Sequence, residues 1–251
     1  MVSDTYGERR MRRILIHIII LIIILINLLL PFSCSKILFD EEIERRELHF
    51  GSFNAIEIKG IYDVVLVQDS TNRLIITGKN HIQSLDASVL NDTLKIDNRI
   101  FSIEPSRNSL EIHFTGISNL ITHHPVRIST SDTLKSDLFC YFGYGEIEEA
   151  RLMVDCNYLI VFGGHNTLGN FHVSGRTSFA DLSVRYGASM DASLLRCRSA
   201  EVFNSSAGNI YVNASEKIKT YITGTGNIYY YGNPIIEMIE KTGEGRLISV
   251  R

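Results

Sequence analysis

The chain has 251 residues, with 25 lysines and arginines against 28 aspartates and glutamates, which gives a net charge of −3. Residues 1–33 carry a net charge of +2, so the rest of the chain carries −5. A mildly acidic chain gives no electrostatic basis for binding nucleic acid. The length that remains is enough for one sizeable domain or two small ones.

The N-terminus has the layout of a secretory signal. An apolar run extends from Ile14 to Leu30, interrupted only by His17 and Asn27, and it follows four arginines: Arg9, Arg10, Arg12 and Arg13. A positive segment, an apolar segment and a small residue before a cleavage point are typical of exported proteins. As a helix the run would span about 26 Å, slightly less than a bilayer core of about 30 Å. Residues 1–33 are therefore predicted to be a signal peptide or a membrane anchor.

Cys34 bears on the choice between these two alternatives. The segment Leu-Pro-Phe-Ser-Cys that ends at this residue resembles the lipobox of bacterial lipoproteins. The resemblance implies cleavage before Cys34 and attachment of a lipid to its thiol. The alternative is an uncleaved anchor helix with an ordinary free thiol just outside it. Either way the chain is predicted to be membrane-attached in a bacterial cell envelope, with the following domain outside the cytoplasm. The lipobox favours an outer-membrane lipoprotein, periplasmic or surface-facing.

Residues 34–47 are predicted to be a charged tether of one or two helical turns at most. From residue 48 to residue 251 the pattern is almost entirely β, with a weak helical alternative at 235–241. Short runs of apolar and β-branched residues alternate with turn residues, as in strands. These runs are Phe53–Ile58, Val64–Gln68, Leu74–Thr77, Leu94–Asp97 and Leu110–Thr115.

Glycine pairs recur in the C-terminal half at nearly constant spacing. Gly208, Gly226 and Gly245 lie 18 and 19 residues apart, and each is followed within two residues by Ile or Leu. A recurrence near 20 residues in an all-β chain predicts a solenoid in which each repeat forms one coil. An antiparallel sandwich with glycine-rich hairpins is the alternative.

The glycines of the repeat are predicted to form tight corners, because glycine reaches backbone angles that other residues avoid. After the corners, Ile210, Ile228 and Leu247 would stack as one inward apolar ladder. Asn209 and Asn227 would stack at the turn, where side-chain amides can bond along the solenoid axis. The predicted corner glycines are Gly143, Gly145, Gly208, Gly224, Gly226, Gly243 and Gly245.

Two segments resemble a known family. Residues 223–234, Thr-Gly-Thr-Gly-Asn-Ile-Tyr-Tyr-Tyr-Gly-Asn-Pro, are similar to the closing motif of the GIN domain found in auto-transporter adhesin heads. Residues 53–68 are similar to its opening strands. The family is common among envelope lipoproteins and secreted proteins of Bacteroidetes-type bacteria. The resemblance covers about residues 48–235 and implies a right-handed β-helix-like fold without established catalytic residues.

Candidate chemistry outside the repeat is sparse. His123 and His124 are adjacent, so on a strand they would point to opposite faces and could not share a metal. His113, His165 and His172 are predicted to be surface residues. Asp155, Asp181 and Asp191 could align across successive repeats as the carboxylates of a β-helix glycosidase or lyase, although solvated turn residues are the simpler interpretation.

The three cysteines of the domain leave two alternatives. Cys140 and Cys156 lie in similar contexts one repeat apart and could form a disulfide, because the periplasm permits them. Buried free thiols, including Cys197, are the other interpretation.

Tyr229, Tyr230 and Tyr231 are the candidate contact surface, because exposed tyrosines suit sugar or protein partners. Packing of these rings over the end of the solenoid is the alternative. The sequence predicts a non-enzymatic, membrane-anchored adhesion or interaction module, with an unidentified protein or glycan partner and no cofactor, metal or nucleic acid. The alternatives are a carbohydrate-active β-helix enzyme and an accessory structural or signalling protein of the envelope.

Overall fold

The computed structural model describes residues 11, 17–21, 43–79, 82–98, 108–146, 149–164 and 168–250. In the N-terminal unit, residues 17–21 are helical. Cys34, residues 34–42 of the predicted tether and most of the predicted signal lie outside the described residues. Among the residues that are described, no helix is long and apolar enough to cross a membrane.

In the described part of the domain that begins at Glu42, the elements are β-strands and a short 3-10 turn at Ile82–Ser84. The five longest strands have 10 to 18 residues, because each bends around most of one coil. The strands are β1 (Ile43–His49), β2 (Ala55–Lys59), β3 (Tyr62–Gln68), β4 (Arg73–Lys79), β5 (Leu85–Leu90), β6 (Thr93–Asn98), β7 (Asn108–Phe114), β8 (Asn119–Thr122), β9 (Val126–Thr130), β10 (Leu134–Gly143), β11 (Glu149–Gly163), β12 (Asn170–Tyr186), β13 (Ser189–Ser206), β14 (Ile210–Ile222), β15 (Ile228–Tyr231), β16 (Ile235–Lys241) and β17 (Leu247–Ser249).

Successive coils stack in parallel register to form a β-solenoid of about 6 turns, as the repeat predicts. One side of the coils, which we call side A, contains β2, β8, residues 138–143, 158–163, 179–186, 199–206 and 217–222, and then β16. The other, side B, contains β3, β9, residues 149–151, 170–172, 189–191 and 210–213, and then β15 and β17. Parallel pairing along both sides excludes the antiparallel sandwich.

The predicted helical alternative at 235–241 is wrong. Ile235–Lys241 is strand β16, which pairs in parallel with β14 as part of the last coil. A helix at this position would leave the edge of β14 without its hydrogen-bonding partner, so stacking overrides the weak local helical period.

The N-terminal end of the domain is closed by antiparallel strands. β1 pairs along its whole length with β4, β4 pairs with β7, and β5 forms a hairpin with β6. The prediction of a tether through residue 47 is therefore wrong for its last five residues, which belong to β1. Four of these five residues are exposed and Arg46 is half-buried, because an edge strand keeps one face in solvent.

The core is a set of apolar ladders that run along the solenoid axis. On side A, Leu120, Tyr141, Val161, Leu182 and Val202 are in register on successive coils, and each is 0% exposed. Strand alternation places every second residue inward, so identical spacing on each coil stacks these side chains directly.

The ladder predicted after the corners is confirmed. Ile210 pairs with Ile228 and Ile228 with Leu247. The two isoleucines are fully buried, and Leu247 packs against the core at the end of the stack.

Candidate contact surface

The outward face of side A has two rows of large apolar side chains. The first row is Leu138, Tyr158 and Phe179, which are in register on three successive coils. Tyr158 is 58% exposed and Leu138 41%. The second row is Phe142, Phe162, Phe203 and Tyr221. We call the two rows together the aromatic face.

Neighbouring rings within each row are in contact distance. The ring centroids of Tyr158 and Phe179 are 6.2 Å apart, and those of Phe203 and Tyr221 are 5.7 Å apart. Tyr144, 41% exposed, extends the second row with its ring 5.9 Å from that of Phe162. Side chains outside a solenoid normally include many polar residues, so two rows of large apolar and aromatic side chains at this position indicate a contact surface.

Arg185 bridges the gap that Ser183 leaves in the second row. Its guanidinium carbon lies 5.2 Å from the ring centroid of Phe162 and 6.0 Å from that of Phe203. Both distances are within the range of a cation–π interaction. The cation therefore joins two aromatic segments into one surface that spans β10 to β14.

Between the two rows lies a third row that becomes charged along the axis. Ile160, Asp181, Glu201 and Lys219 are in register there. Burial, with the Glu201 carboxylate as a second cause, raises the pKa of Asp181. The hydrogen bond from the Tyr221 hydroxyl to Glu201 raises the pKa of that tyrosine. The centre of the aromatic face thus offers hydrogen-bonding carboxylates between apolar rings, an arrangement that suits the faces and hydroxyls of sugars.

We expect Asp181→Asn to raise the melting temperature at pH 7 and to lose that effect in acid. The native state holds the Asp181 proton more tightly than the unfolded state, so wild-type stability falls as the pH rises through this pKa. Below an ordinary aspartate pKa of about 3.9 both states are protonated and the difference disappears. Thermal melts at several pH values measure this, with exposed Glu244→Gln as the control. Equal effects at pH 7 and in acid would contradict the assignment.

The predicted tyrosine surface lies elsewhere, on side B. Tyr229 stacks on Tyr211 with ring centroids 4.8 Å apart and planes 11° apart. Tyr230 packs against the core, and Tyr231 pairs with Asn213 at the end of β15. All three are half-buried, so packing at the last coils accounts for much of their surface. Their role in partner contact stays a prediction.

The corner glycines serve close approach of the coils rather than unusual backbone angles. Positive φ occurs at Gly60, Gly175 and Gly232, none of which was predicted as a corner. A Cβ on the later corner glycines would instead lie 1.8 to 2.3 Å from a carbonyl oxygen of the preceding coil. The prediction that these corners need glycine for its backbone angles is therefore wrong, because the constraint is the space between stacked backbones. They are Gly208, Gly224, Gly226, Gly243 and Gly245.

The two earlier corner glycines are less uniform. Gly143 is the last residue of β10 and pairs with Thr122 and Gly163 on its two neighbours. Gly145 follows it and is buried. The glycine contact in this region runs through Gly164, whose amide donates a 2.6 Å hydrogen bond to the Gly143 carbonyl.

The asparagine stack at the corners is confirmed. The Asn227 amide N–H donates to the Asn209 side-chain oxygen at 2.9 Å, and the Arg246 N–H donates to that of Asn227 at 2.9 Å. Each side chain thus bonds to the backbone of the next coil. The sequence did not indicate Asn204, which is fully buried and accepts from Ser206 N at 2.9 Å.

Cys140, Cys156 and Cys197 are buried free thiols, so the alternative of a Cys140–Cys156 disulfide is wrong. The repeat places Cys140 opposite Ile160 and Cys156 opposite Ser136 and Thr177, so neither cysteine is the other's partner in the ladder. Burial raises the pKa of all three thiols, that of Cys197 to about 12.

These thiols are expected to be inert in the folded protein at pH 8. A protonated, buried thiol is a poor nucleophile, so a disulfide reagent should find none of the three until the chain unfolds. The count is made on Cys34→Ala protein, before and after adding denaturant. Fast reaction of one thiol in the native protein would contradict the burial found here.

Asp155, Asp181 and Asp191 do not align. Asp155 lies opposite Arg176, Asp181 opposite Glu201 and Asp191 opposite His172 and Tyr211. Two hydrogen bonds of 2.6 and 2.7 Å from the Arg176 guanidinium hold the pKa of Asp155 below its usual range. The three carboxylates therefore do not form one cluster.

The histidines divide into confirmed and corrected predictions. His123 contacts Glu57 at 3.0 Å, while His124 accepts from Gly60 N at 3.2 Å, so the two rings have separate surroundings. His113 is buried and not a surface residue, with Asp69 at 3.0 Å and Glu111 at 2.6 Å. His165 lies outside the described residues. Among all the residues that the structure describes, no group of three or more His, Cys, Asp or Glu side chains could hold a metal ion.

The aromatic face was missed by the sequence analysis, although a signal for it exists. Phe142 and Phe162 are 20 residues apart, and Tyr158 and Phe179 are 21 apart, close to the coil repeat. Aligning aromatic residues on the glycine repeat would have placed both pairs on one side. The glycine corners alone do not reveal this signal, because the aromatic residues lie within the long strands between the corners.

The fold is shared with solved structures of low sequence identity. A putative adhesin from Bacteroides fragilis superposes with a TM-score of 0.77 at 20% identity, covering 83% of this chain and 97% of that one. A putative lipid binding protein from Parabacteroides distasonis gives 0.64 at 21% identity, covering 84% and 98%. A putative adhesin from the same organism gives 0.62 at 15%, also covering 84% and 98%.

No functionally curated protein matches the sequence. Residues 52–234, however, match the family described as putative auto-transporter adhesin, head GIN domain. The match spans most of the solenoid, from the loop before β2 to the turn after β15. Together with the shared fold and the closing motif, it shows that this chain belongs to the auto-transporter adhesin head GIN domain family.

Proposed function

We propose that this protein is a non-enzymatic, membrane-anchored module of the bacterial envelope that binds a glycan through the aromatic face. The observation that carries the proposal is the pair of outward aromatic rows on side A, with carboxylates between them. Stacking of aromatic rings on sugar faces needs exposed rings fixed in place, and the stacked coils fix them.

The anchoring belongs to the same proposal. The arginines, the apolar run and the lipobox-like segment support export and lipidation at Cys34, with the domain outside the cytoplasm. The coils are proposed to be right-handed, because crossovers between parallel strands are nearly always so. Labelled palmitate should attach to wild-type protein in the bacterium and fail to attach to Cys34→Ala. Equal labelling of both would support an uncleaved anchor instead.

A carbohydrate-active enzyme would need an acid and a base that both reach the same glycosidic bond. Asp181 and Glu201 are neighbours, but Glu201 accepts a hydrogen bond from the Tyr221 hydroxyl, and Asp155 is hydrogen-bonded to Arg176. These contacts favour binding over turnover. Release of reducing ends from any envelope glycan by purified protein would overturn the non-enzymatic assignment.

The binding surface is tested by truncating its rings. We expect the double variant Tyr158→Ala, Phe179→Ala to lose at least tenfold in affinity for the glycans that wild-type protein selects on a glycan array, because each ring contact contributes about 1 kcal/mol or more. Tyr229→Ala on side B is the matched control. Unchanged binding by the double variant would contradict the proposal. Pull-down from intact envelopes would then be used to identify a protein partner.

A further inference from the structure

A cleft opens beside the aromatic face where β13 and β14 lose register. Ala192 pairs with Val212, but the next paired residues are Arg196 and Asn213, so β13 has three extra residues. The extra residues include Leu194, which is 76% exposed. The opening has a volume of about 420 Å³ and is lined by Thr177, Arg196, Cys197, Arg198, Asn213 and Ser215.

The cleft has an uncompensated positive charge. Arg176 is bound to Asp155, and Arg198 donates to Glu216 at 2.8 Å. Arg196 lies in register with Arg176 on the neighbouring coil and is exposed, and within the described part of the chain it has no carboxylate partner. Of these two guanidiniums on adjacent strands, that of Arg176 is bound to Asp155 and that of Arg196 is unpaired among the described residues, which leaves a cation free for a ligand.

The polar groups around Arg196 are already arranged. Asn213 donates its side-chain amide to Ser193 O at 3.2 Å, and Ser215 donates to Cys197 O at 3.4 Å. Thr177 donates at the same bend to Phe179 O, 3.0 Å away. These bonds hold the rim of the cleft while the Arg196 guanidinium remains available, so a ligand need not displace an internal ion pair.

The position of the cleft relates it to the aromatic face. Arg198 directly precedes Ser199, and Arg196 lies three residues before it. Ser199 is in register with Phe179, and Phe179 is in register with Tyr158. Neighbouring strands lie about 4.8 Å apart, comparable to the size of one sugar ring. A polysaccharide stacked on Tyr158 and Phe179 would therefore carry its substituents to Arg196.

We propose that the cleft at Arg196 binds the carboxylate or sulfate group of an acidic polysaccharide whose sugar rings stack on Tyr158 and Phe179. This inference rests on the proposed function and names the class of glycan. The domain as a whole is acidic and the aromatic face holds the Asp181 and Glu201 carboxylates, so the arginine cleft is where the anionic group of the polymer binds favourably. Arginine suits this role because its planar fork binds two oxygens of one anionic group.

The test uses the full-length protein in detergent with three immobilised polymers: polygalacturonate for carboxylate, dextran sulfate for sulfate, and uncharged dextran. Wild-type protein is expected to bind at least one acidic polymer and to bind it more weakly as salt rises. Arg196→Gln should lower that affinity about tenfold, corresponding to the loss of one charged hydrogen-bond pair. Exposed Arg246→Gln should bind as wild type does, and Arg196→Lys should lie between.

Each outcome of this test either supports the inference or overturns it. Binding of one acidic polymer only would support the inference and identify the anionic group. Failure of wild-type protein to bind either acidic polymer, or equal binding by Arg196→Gln, would overturn it. The aromatic face is judged separately: if Tyr158→Ala loses binding while Arg196→Gln does not, the proposed function stands and the anionic specificity falls. If Tyr158→Ala also keeps full binding, both fall.

Discussion

Replacing Gly226 by alanine should destabilise the domain by about 3 kcal/mol or more, a fall in melting temperature of about 10 °C. A Cβ at this position would lie 1.8 Å from the Gly208 carbonyl oxygen on the coil before it. The added Cβ would clash with backbone atoms, so no rotamer change can relieve the clash, and Gly245 stacks on Gly226 in the same way. The coils would have to separate at the corner and strain the hydrogen bond from Gly226 N to Ser206 O.

The matched control is Gly116→Ala, because a Cβ there meets nothing within 4 Å. We expect that variant to change the free energy of unfolding by less than about 1 kcal/mol. Denaturant unfolding of both variants beside wild type measures the difference. Equal stability of the two variants would mean that the coils are not stacked at the distance found here.

Asn204→Ala is expected to cost about 2 to 3 kcal/mol. The Asn204 side chain is 0% exposed and donates to the carbonyls of Gly208 at 3.0 Å and Asn227 at 3.2 Å. Alanine would leave these two carbonyls and the Ser206 N–H short of a partner inside the solenoid, where water cannot replace it.

The control for this prediction is Asn233→Ala, at an exposed position after β15. It should change stability by less than about 0.5 kcal/mol. If Asn204→Ala proved as stable as Asn233→Ala, the buried amide would not be a structural bond between coils, and its burial would need another explanation.

The repeat carried most of the correct predictions. The spacing of Gly208, Gly226 and Gly245 predicted both the solenoid and the ladder of Ile210, Ile228 and Leu247, because a stacked coil repeats its contacts at each turn. The asparagine bonds at the corners followed from the same periodicity. What the spacing could not reveal was whether glycine was needed for its angles or for its small size, since both leave the same residue in the sequence.

The N-terminal third was predicted less well, because its pairing is not periodic. β1 looks like a charged tether, and only its antiparallel partner β4, about 30 residues later, makes it a strand. His113 is likewise buried by residues distant in sequence: Asp69 lies 3.0 Å from it and Arg73 3.5 Å from it. Non-local pairs of this kind leave no mark at a fixed spacing.

The aromatic face is intermediate between these two cases in how well the sequence predicts it. Its residues repeat with the coil, but they repeat on the outside, where sequence patterns usually vary. Tyr229, Tyr230 and Tyr231 form a conspicuous run in the sequence, but adjacent residues of a strand point to opposite faces. Residues that share a surface here are one coil apart, as Tyr158 and Phe179 are.

Site-specific photo-crosslinking in the living bacterium shows whether partners bind on side A. A photoreactive amino acid is placed at Tyr158 on side A or at Tyr229 on side B, and adducts are identified by mass spectrometry. We expect glycan adducts at Tyr158 and none above background at Tyr229. Adducts confined to Tyr229 would rule out binding on side A and place the contact surface at the tyrosines of the last coils.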